Sequence, residues 1–105
     1  MSDKSEYGLL VEDLELIISI LEKNDRIKEI VLFGSRAKGN YSDGSDIDLA
    51  LKGDNLELRD LTNVKIDLDG LLIPNKIDLV IFNRITEKAL IEHIQRVGIV
   101  LYKRV

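Results

Sequence analysis

Three segments of the chain repeat apolar residues at spacings of three and four, which is the pattern of amphipathic helices. The first spans residues 9–23, the second follows residues 52–55 and stops at Gly70, and the third runs from Thr86, a capping-type residue, to Gly98. Most other positions are charged or polar, so one face of each helix should meet the core and the other should meet water. The predicted core-facing residues are Leu10, Leu14, Ile17, Ile18 and Leu21, then Leu58, Leu61, Val64 and Leu68, then Leu90, Ile94 and Val97.

Four short apolar runs predict strands. They are "IKEIVLF" at 27–33, "DIDLAL" at 46–51, "KIDLVIF" at 76–82 and "IVLY" at 99–102. The first contains a continuous run, 30–33, which indicates a central strand buried on both faces, whereas the short last run is expected at an edge. A short helix, capped by Ser35 and ended by Gly39, connects the first two strands. So short a link predicts an antiparallel pair and therefore a mixed sheet.

The predicted order of elements is helix, strand, short helix, strand, helix, strand, helix, strand. This alternation is typical of an α+β domain in which layered helices cover a small mixed β-sheet. The chain has 105 residues, and no linker, repeat or low-complexity segment divides it. We therefore expect residues 1–105 to form a single domain.

Composition narrows the functional classes. The net charge of −4 argues against non-specific binding of nucleic acid, which depends on clustered lysine and arginine. No apolar run approaches the roughly 20 residues that cross a bilayer, and the polar N-terminal residues lack the pattern of a signal peptide. The absence of cysteine excludes disulfides and thiolate metal sites. We expect a cytoplasmic protein without a membrane partner.

Three aspartates lie inside the predicted strands, where an unsatisfied charge would be costly. Asp46 and Asp48 share one strand face, with Cα atoms ~6.6 Å apart, and Asp78 repeats the pattern in the third strand. If these strands are neighbours, the three carboxylates line one patch. Hard oxygen ligands without nearby histidine or cysteine favour Mg²⁺ or Mn²⁺ over zinc. Taken singly, each aspartate could instead face water at a strand end.

A glycine-serine turn supplies a second candidate element. Gly34 lets the backbone approach a ligand closely, and Ser35 opens a helix whose first N–H groups are free. Arg36 and Lys38 add positive charge, so the turn predicts contacts with phosphate groups. Beside a metal site, this is the equipment of phosphoryl or nucleotidyl transfer. By itself the turn could be an ordinary strand–turn–helix, and it lacks the Gly-Lys-Ser/Thr of a Walker loop.

The stretch "GSRAKGNYSDGSDIDL", residues 34–49, resembles the signature of the DNA polymerase β-like nucleotidyltransferases, and within them the minimal nucleotidyltransferases of prokaryotes. The resemblance extends over essentially the whole chain. It implies that Gly34 and Ser35 contact the triphosphate and that Asp46 and Asp48 hold two Mg²⁺ ions. It further implies that Asp78 is the third carboxylate, which binds the metal next to the attacking hydroxyl and helps to deprotonate it. Many relatives carry arginine where this chain has Lys38, a change that keeps the charge.

The same resemblance implies a partner protein. Minimal nucleotidyltransferases typically pair with a helical HEPN-domain protein, often a ribonuclease toxin. They act as its antitoxin by transferring AMP from ATP to a toxin tyrosine. Two alternatives remain open: an antitoxin that neutralises its toxin by binding alone, and a transferase that modifies a small molecule. The lack of an acceptor-binding domain disfavours the second.

Two more residues could contribute. His93 lies beside the apolar stripe of the last helix without an obvious partner in the sequence, which favours a structural or interface role over catalysis. Tyr41 lies in the loop before the second strand, where it could contact a base or an acceptor, or could be an ordinary surface tyrosine.

Overall fold

A four-stranded mixed sheet is the framework of the protein, and the computed structural model describes it within residues 5–105. In chain order the elements are β1 (Ser5–Glu6), β2 (Leu9–Leu10), α1 (Val11–Leu21), β3 (Ile27–Phe33), α2 (Gly34–Lys38), β4 (Ile47–Gly53), α3 (Leu58–Asp69), β5 (Ile77–Ile81), a 3₁₀ turn (Phe82–Arg84), α4 (Lys88–Val97) and β6 (Ile99–Lys103). The spatial order of the sheet is β5-β4-β3-β6. β3 pairs antiparallel with β4 and β6, while β4 and β5 are parallel. The predicted mixed sheet, the antiparallel first pair and the edge position of the last strand are confirmed.

The main core lies between one face of the sheet and the helices α1 and α3. Because side chains alternate along a strand, Ile30 and Leu32 of β3 point into this core, while Val31 and Phe33 point to the opposite face. Ile94 of α4 packs on that second face. β3 is therefore buried on both sides, as its continuous apolar run predicts. Within residues 5–105, no helix has the length and apolarity needed to span a bilayer.

The N-terminal part differs from the prediction, because a small hairpin precedes the first helix. β1 and β2 pair antiparallel around Tyr7 and Gly8, whose φ angles are 58° and 75°. These left-handed values are typical of the tight turns that join two strands. Leu10 belongs to β2 and is exposed, so the helix and its core-facing stripe begin after it.

Three details at helix starts were also predicted wrongly. α2 begins directly at Gly34, so Phe33 is its N-cap and Ser35 lies inside the helix without capping it. α4 is capped by the backbone of Glu87, which accepts the hydrogen bond of the Ile91 N–H, and Thr86 lies outside the helix. Leu58 is exposed because it is the first residue of α3 and extends beyond the layer that packs on the sheet.

A pair of isoleucine substitutions tests where the core lies. Ile17 in α1 is 1% exposed and Ile66 in α3 is 65% exposed. Ile17→Ala should lower the free energy of unfolding by about 2–5 kcal/mol, since it removes apolar contacts and leaves a cavity. Ile66→Ala should change it by less than about 0.5 kcal/mol. Urea denaturation of both variants measures this difference, and equal losses would place the core elsewhere.

Candidate active site

Two of the aspartates lie side by side on neighbouring strands. β4 and β5 run parallel in a register that pairs Asp48 with Asp78. Paired residues of adjacent strands point to the same face, about 4.8 Å apart. Asp46 lies one residue before β4, on the same side as Asp48 in the period-two alternation. The face that carries them is opposite the main core, so the same strands present isoleucine and leucine to one layer and carboxylates to the other.

The carboxylates influence one another electrostatically. Burial raises the pKa of Asp48, and the negative charges of Asp78 and Asp46 raise it further. Lys76 lies on the same strand face as Asp78, with its Nζ atom 3.5 Å from Asp78 Oδ1. The aspartates therefore place like charges close together, which is energetically unfavourable, and Lys76 offsets part of the charge at Asp78.

The glycine-serine turn touches this patch. β3 is in register with β4 so that Phe33 pairs with Asp48, and Gly34 follows immediately. Gly34 has φ of 77°, and a Cβ atom at this position would overlap the carboxylate oxygen Oδ2 of Asp48. Glycine is thus required here both by the backbone conformation and by the close approach of the carboxylate.

His93 holds the turn from the other side, a role that the sequence did not reveal. Its Nε2 atom accepts a hydrogen bond from the Gly34 N–H at 3.0 Å, which requires an unprotonated Nε2. The ring also meets Phe33 edge-on, with centroids 6.1 Å apart. The Gly34 N–H is therefore occupied, which leaves the Ser35 N–H and hydroxyl as the donors of this turn that a phosphate could use. No sequence signal links His93 to a glycine 59 residues away.

Arg36 does not lie where a phosphate contact requires it. The side chain is only 1% exposed, and its guanidinium donates hydrogen bonds to the backbone carbonyls of Tyr7, Asp43 and Ser45. The prediction of a phosphate-binding Arg36 does not fit this geometry, because its donors already have partners inside the protein. Lys38, at the end of α2, is exposed.

Tyr41 packs against the buried arginine. The Arg36 guanidinium carbon lies 5.2 Å from the centre of the Tyr41 ring, which remains partly exposed. This contact accounts for the position of the ring.

A family comparison identifies the class of protein. The family model described as polymerase beta nucleotidyltransferase matches residues 15–105. The chain belongs to the polymerase β nucleotidyltransferase family.

Solved structures agree with this assignment. One chain of a toxin–antitoxin complex crystallised with AMP-PNP is 27% identical to this nucleotidyltransferase, with a TM-score of 0.71 over 86% of this chain and 73% of that chain. One chain of a complex between a tri-AMPylated Shewanella oneidensis HEPN toxin and an MNT antitoxin is 23% identical, with a TM-score of 0.67 over 88% and 71% of the two chains. The second likeness shows the fold alone.

A curated relative matches a shorter stretch. A Methanocaldococcus jannaschii protein named "Putative protein adenylyltransferase MJ0604" is 59% identical to this chain over 29 residues. The match spans 28% of this chain and 29% of that relative. The activity of the whole relative is therefore not carried over by this match.

The donor set fits a divalent cation. Asp46, Asp48 and Asp78 offer only carboxylate oxygens, which suit Mg²⁺ or Mn²⁺, and a cation would relieve the repulsion that raises the pKa of Asp48. In the part of the chain that the structure describes, no three acidic or histidine side chains already converge as a closed metal site. The chemistry of the donors, rather than a preformed cage, therefore supports metal binding.

The carboxylate patch is an open surface. Asp46 is exposed, and Asp48 and Asp78 are half-buried. None of the three lines any of five surface cavities found among the described residues. The largest, of about 630 Å³, is lined by Gly53–Leu56 and by Ile81, Asn83 and Arg84, at the other end of β4 and β5. A substrate at the aspartates would be bound on the surface of the nucleotidyltransferase and not inside an enclosed pocket.

Two glycine substitutions separate backbone strain from damage to the site. Gly34 and Gly39 both have left-handed φ angles, 77° and 89°, but a Cβ atom at Gly39 would meet nothing within 4 Å. Both alanine variants should lose about 1–2 kcal/mol of stability through strain. Only Gly34→Ala should also displace Asp48 and abolish nucleotidyl transfer. Thermal unfolding and transfer assays on both variants test this, and an inactive Gly39→Ala would contradict it.

Charge removal at two aspartates should have opposite effects on stability. Asp48→Asn should raise the free energy of unfolding at pH 7 in EDTA, because the pKa of Asp48 is raised by burial and by like charges. Asp60→Asn should lower it, because the Glu57 N–H, assisted by Asn24 and Arg26, holds the pKa of the Asp60 carboxyl below its ordinary value.

The pH dependence has a defined sign for each variant. The gain from Asp48→Asn should be complete above the raised pKa of Asp48 and should disappear as the pH falls through it toward 3.8, its ordinary value. The loss from Asp60→Asn should disappear as the pH falls below 3.8 and through the lowered pKa of Asp60. Urea denaturation across this pH range measures both, and shifts of the same sign in the two variants would refute the electrostatic explanation.

Proposed function

We propose that this protein is a Mg²⁺-dependent nucleotidyltransferase that transfers AMP from ATP to a tyrosine hydroxyl of a partner HEPN-type toxin, and so acts as its antitoxin. The observation that carries the proposal is the register pair Asp48–Asp78 beside the Gly34 turn, in a chain of the polymerase β nucleotidyltransferase family. The proposal places the protein in the cytoplasm, where ATP and Mg²⁺ are available.

ATP binding is assigned to the helix that begins at Gly34 and to the three aspartates. Ser35 would donate its N–H and hydroxyl to the triphosphate, and Lys38 would add positive charge nearby. Asp46, Asp48 and Asp78 would hold Mg²⁺, which supplies charge neutralisation for the phosphates when bound. A solved toxin–antitoxin complex with AMP-PNP, similar in fold and 27% identical, supports a nucleoside triphosphate as the substrate.

The acceptor side is assigned to Asp78. Its carboxylate is 37% exposed and lies on the edge strand β5, where a hydroxyl from outside can reach it. In the reaction, the hydroxyl oxygen bonds to the α-phosphorus of ATP, the bond from that phosphorus to the β-phosphate oxygen breaks, and pyrophosphate leaves. Asp78 accepts the hydroxyl proton as the new bond forms.

The shape of the site supports a protein as the acceptor. A small-molecule acceptor is usually held in a concave pocket that buries most of its surface. Asp46 is exposed and Asp48 and Asp78 are only half-buried, which favours an acceptor that brings much of its own binding surface. A folded partner does so, and a similar chain, 27% identical, occurs in a toxin–antitoxin complex.

Asp78→Asn should lower the rate of AMP transfer by about 10²–10⁴-fold, the usual contribution of a general base. Asp67→Asn, an exposed aspartate of α3, is the matched control and should retain the wild-type rate. The assay incubates each purified protein with Mg²⁺, host lysate and ATP labelled at the α-phosphate, with γ-labelled ATP in parallel. A protein band labelled only from the α position, and mapped to a tyrosine, supports the proposal.

Two outcomes would overturn the proposed function. A band labelled from the γ position would indicate kinase-type transfer. A toxin that copurifies with the protein and is neutralised equally by wild type and Asp78→Asn, without label, would show that binding alone inhibits it.

A further inference from the structure

We infer that Arg36 and Asn75 are positioning residues for nucleotidyl transfer: they clamp the backbone carbonyls of Asp43 and Ser45 and thereby fix Asp46 beside Asp48. The inference rests on the proposed role of Asp46 as a metal ligand. It replaces the direct phosphate contact that the sequence suggested for Arg36 with an action through the backbone.

The hydrogen bonds of Arg36 converge on the loop before β4. Nε and Nη2 both donate to the Ser45 carbonyl, at 3.2 and 2.9 Å, and Nη2 also donates to the Asp43 carbonyl at 3.3 Å. Nη1 donates to the Tyr7 carbonyl at 2.9 Å, which ties the N-terminal hairpin to the same centre. The Ser45 carbonyl belongs to the peptide that leads directly into Asp46.

Asn75, in the segment that leads into β5, donates to the same two carbonyls. Its Nδ2 atom donates to Asp43 at 2.9 Å and to Ser45 at 3.2 Å. Asn75 lies just before β5, so the clamp joins the segment that enters β4 to the segment that enters β5. The two strands that carry Asp48 and Asp78 are thus connected at the point where Asp46 emerges.

Apart from this clamp, the loop is held by a short-range turn and by its two ends. Residues 40–46 form no helix or strand, and most are exposed. Within the loop, the Ser45 N–H donates to the Ser42 carbonyl at 3.0 Å and the Ser42 N–H donates to the Ser45 hydroxyl at 2.9 Å. The Ile47 N–H, just after the loop, donates to the Lys76 carbonyl at 2.8 Å, so none of these bonds involves the Ser45 carbonyl. A carboxylate carried by such a segment is held in one place mainly by the partners of its backbone, and the clamp supplies these.

Burial of Arg36 is unfavourable unless its donors are satisfied. Here backbone carbonyls and the Tyr41 ring offset that cost. A planar guanidinium can donate to carbonyls in several directions at once. The three donors of an ammonium all lie on one nitrogen at the end of a flexible chain. A lysine at this position should therefore keep the positive charge but lose the simultaneous hydrogen bonds to several carbonyls.

The chain contains a matched control in Arg104. Its guanidinium also donates to three backbone carbonyls, those of Ile27, Glu22 and Asn24, and lies over an aromatic ring, that of Tyr102. This cluster is at the start of β3, about 20 Å along the strand from Gly34. Arg104 therefore combines the same hydrogen-bond chemistry, at a less buried position, with a location remote from the aspartates.

The test compares Arg36→Lys with Arg104→Lys. Both should lose stability, but only Arg36→Lys should lower the affinity for Mn²⁺, measured by titration without nucleotide, and the kcat of AMP transfer. Supporting residues behind metal ligands typically contribute about 10–100-fold to affinity or activity, which is the expected loss. The KM for ATP should change less than kcat, since Arg36 does not touch the triphosphate.

Asn75→Ala provides a second variant if Arg36→Lys folds poorly. It should weaken Mn²⁺ binding in the same direction, while Asn63→Ala, an exposed asparagine of α3, should not. In an Asp46→Asn background, Arg36→Lys should produce no further loss of Mn²⁺ affinity, because its effect passes through Asp46. If Arg36→Lys acted through a general folding defect, it would instead lower the Mn²⁺ affinity further in the Asp46→Asn background.

The outcomes separate this inference from the proposed function. The proposed function alone is refuted if the wild type binds Mn²⁺, Arg36→Lys but not Arg104→Lys weakens that binding, and no AMP is transferred. A wild type that transfers AMP while Arg36→Lys and Arg104→Lys behave alike refutes the inference alone. A wild type that neither binds Mn²⁺ nor transfers AMP overturns both.

Discussion

The parallel pairing of β4 with β5 is the constraint on which the rest of the site depends. In this register the two strands bury isoleucine and leucine on one face and bring Asp48 beside Asp78 on the other. A slip of one residue would place carboxylates in the core and apolar side chains at the surface, so the hydrophobic core itself enforces the position of the charges. Packing energy thus holds together groups whose electrostatic interaction is unfavourable.

The surrounding residues act on this pair through the backbone more than through direct contacts. His93 fixes the Gly34 peptide, which lies against Asp48, and the clamp of Arg36 and Asn75 fixes the peptide before Asp46. Each of these side chains comes from a different element, namely α4, α2 and the segment before β5. The site is therefore assembled from the whole fold, although the aspartates themselves lie close together in the sequence or in the sheet.

Period-two alternation and the order of elements were sufficient to predict a mixed sheet and, once β4 and β5 are neighbours, the shared face of Asp48 and Asp78. Both signals are local, and the fold supplies only the adjacency of β4 and β5. The hairpin of β1 and β2 was not predictable in the same way, because strands of two residues have no measurable period.

Arg36 and His93 show more clearly what local sequence patterns could not predict. The sequence gives the charge of an arginine after a glycine-serine turn but not the direction of its side chain, so a phosphate contact was the natural interpretation. Its partners, and the glycine that His93 holds, are identified only when distant segments are brought together. Local patterns thus predicted the groups that could react, and tertiary structure was needed to find the groups that orient them.

The openness of the carboxylate patch has a consequence for how ATP is protected. Enzymes that transfer groups from reactive donors usually close over them to keep water from acting as the acceptor. Here Asp46 is exposed and Asp48 and Asp78 are only half-buried, so within residues 5–105 the carboxylates are accessible to solvent. Under the proposed function, the docked partner would therefore serve both as the acceptor and as the shield that excludes solvent, so that productive transfer and unproductive hydrolysis would be separated by the presence of a second protein.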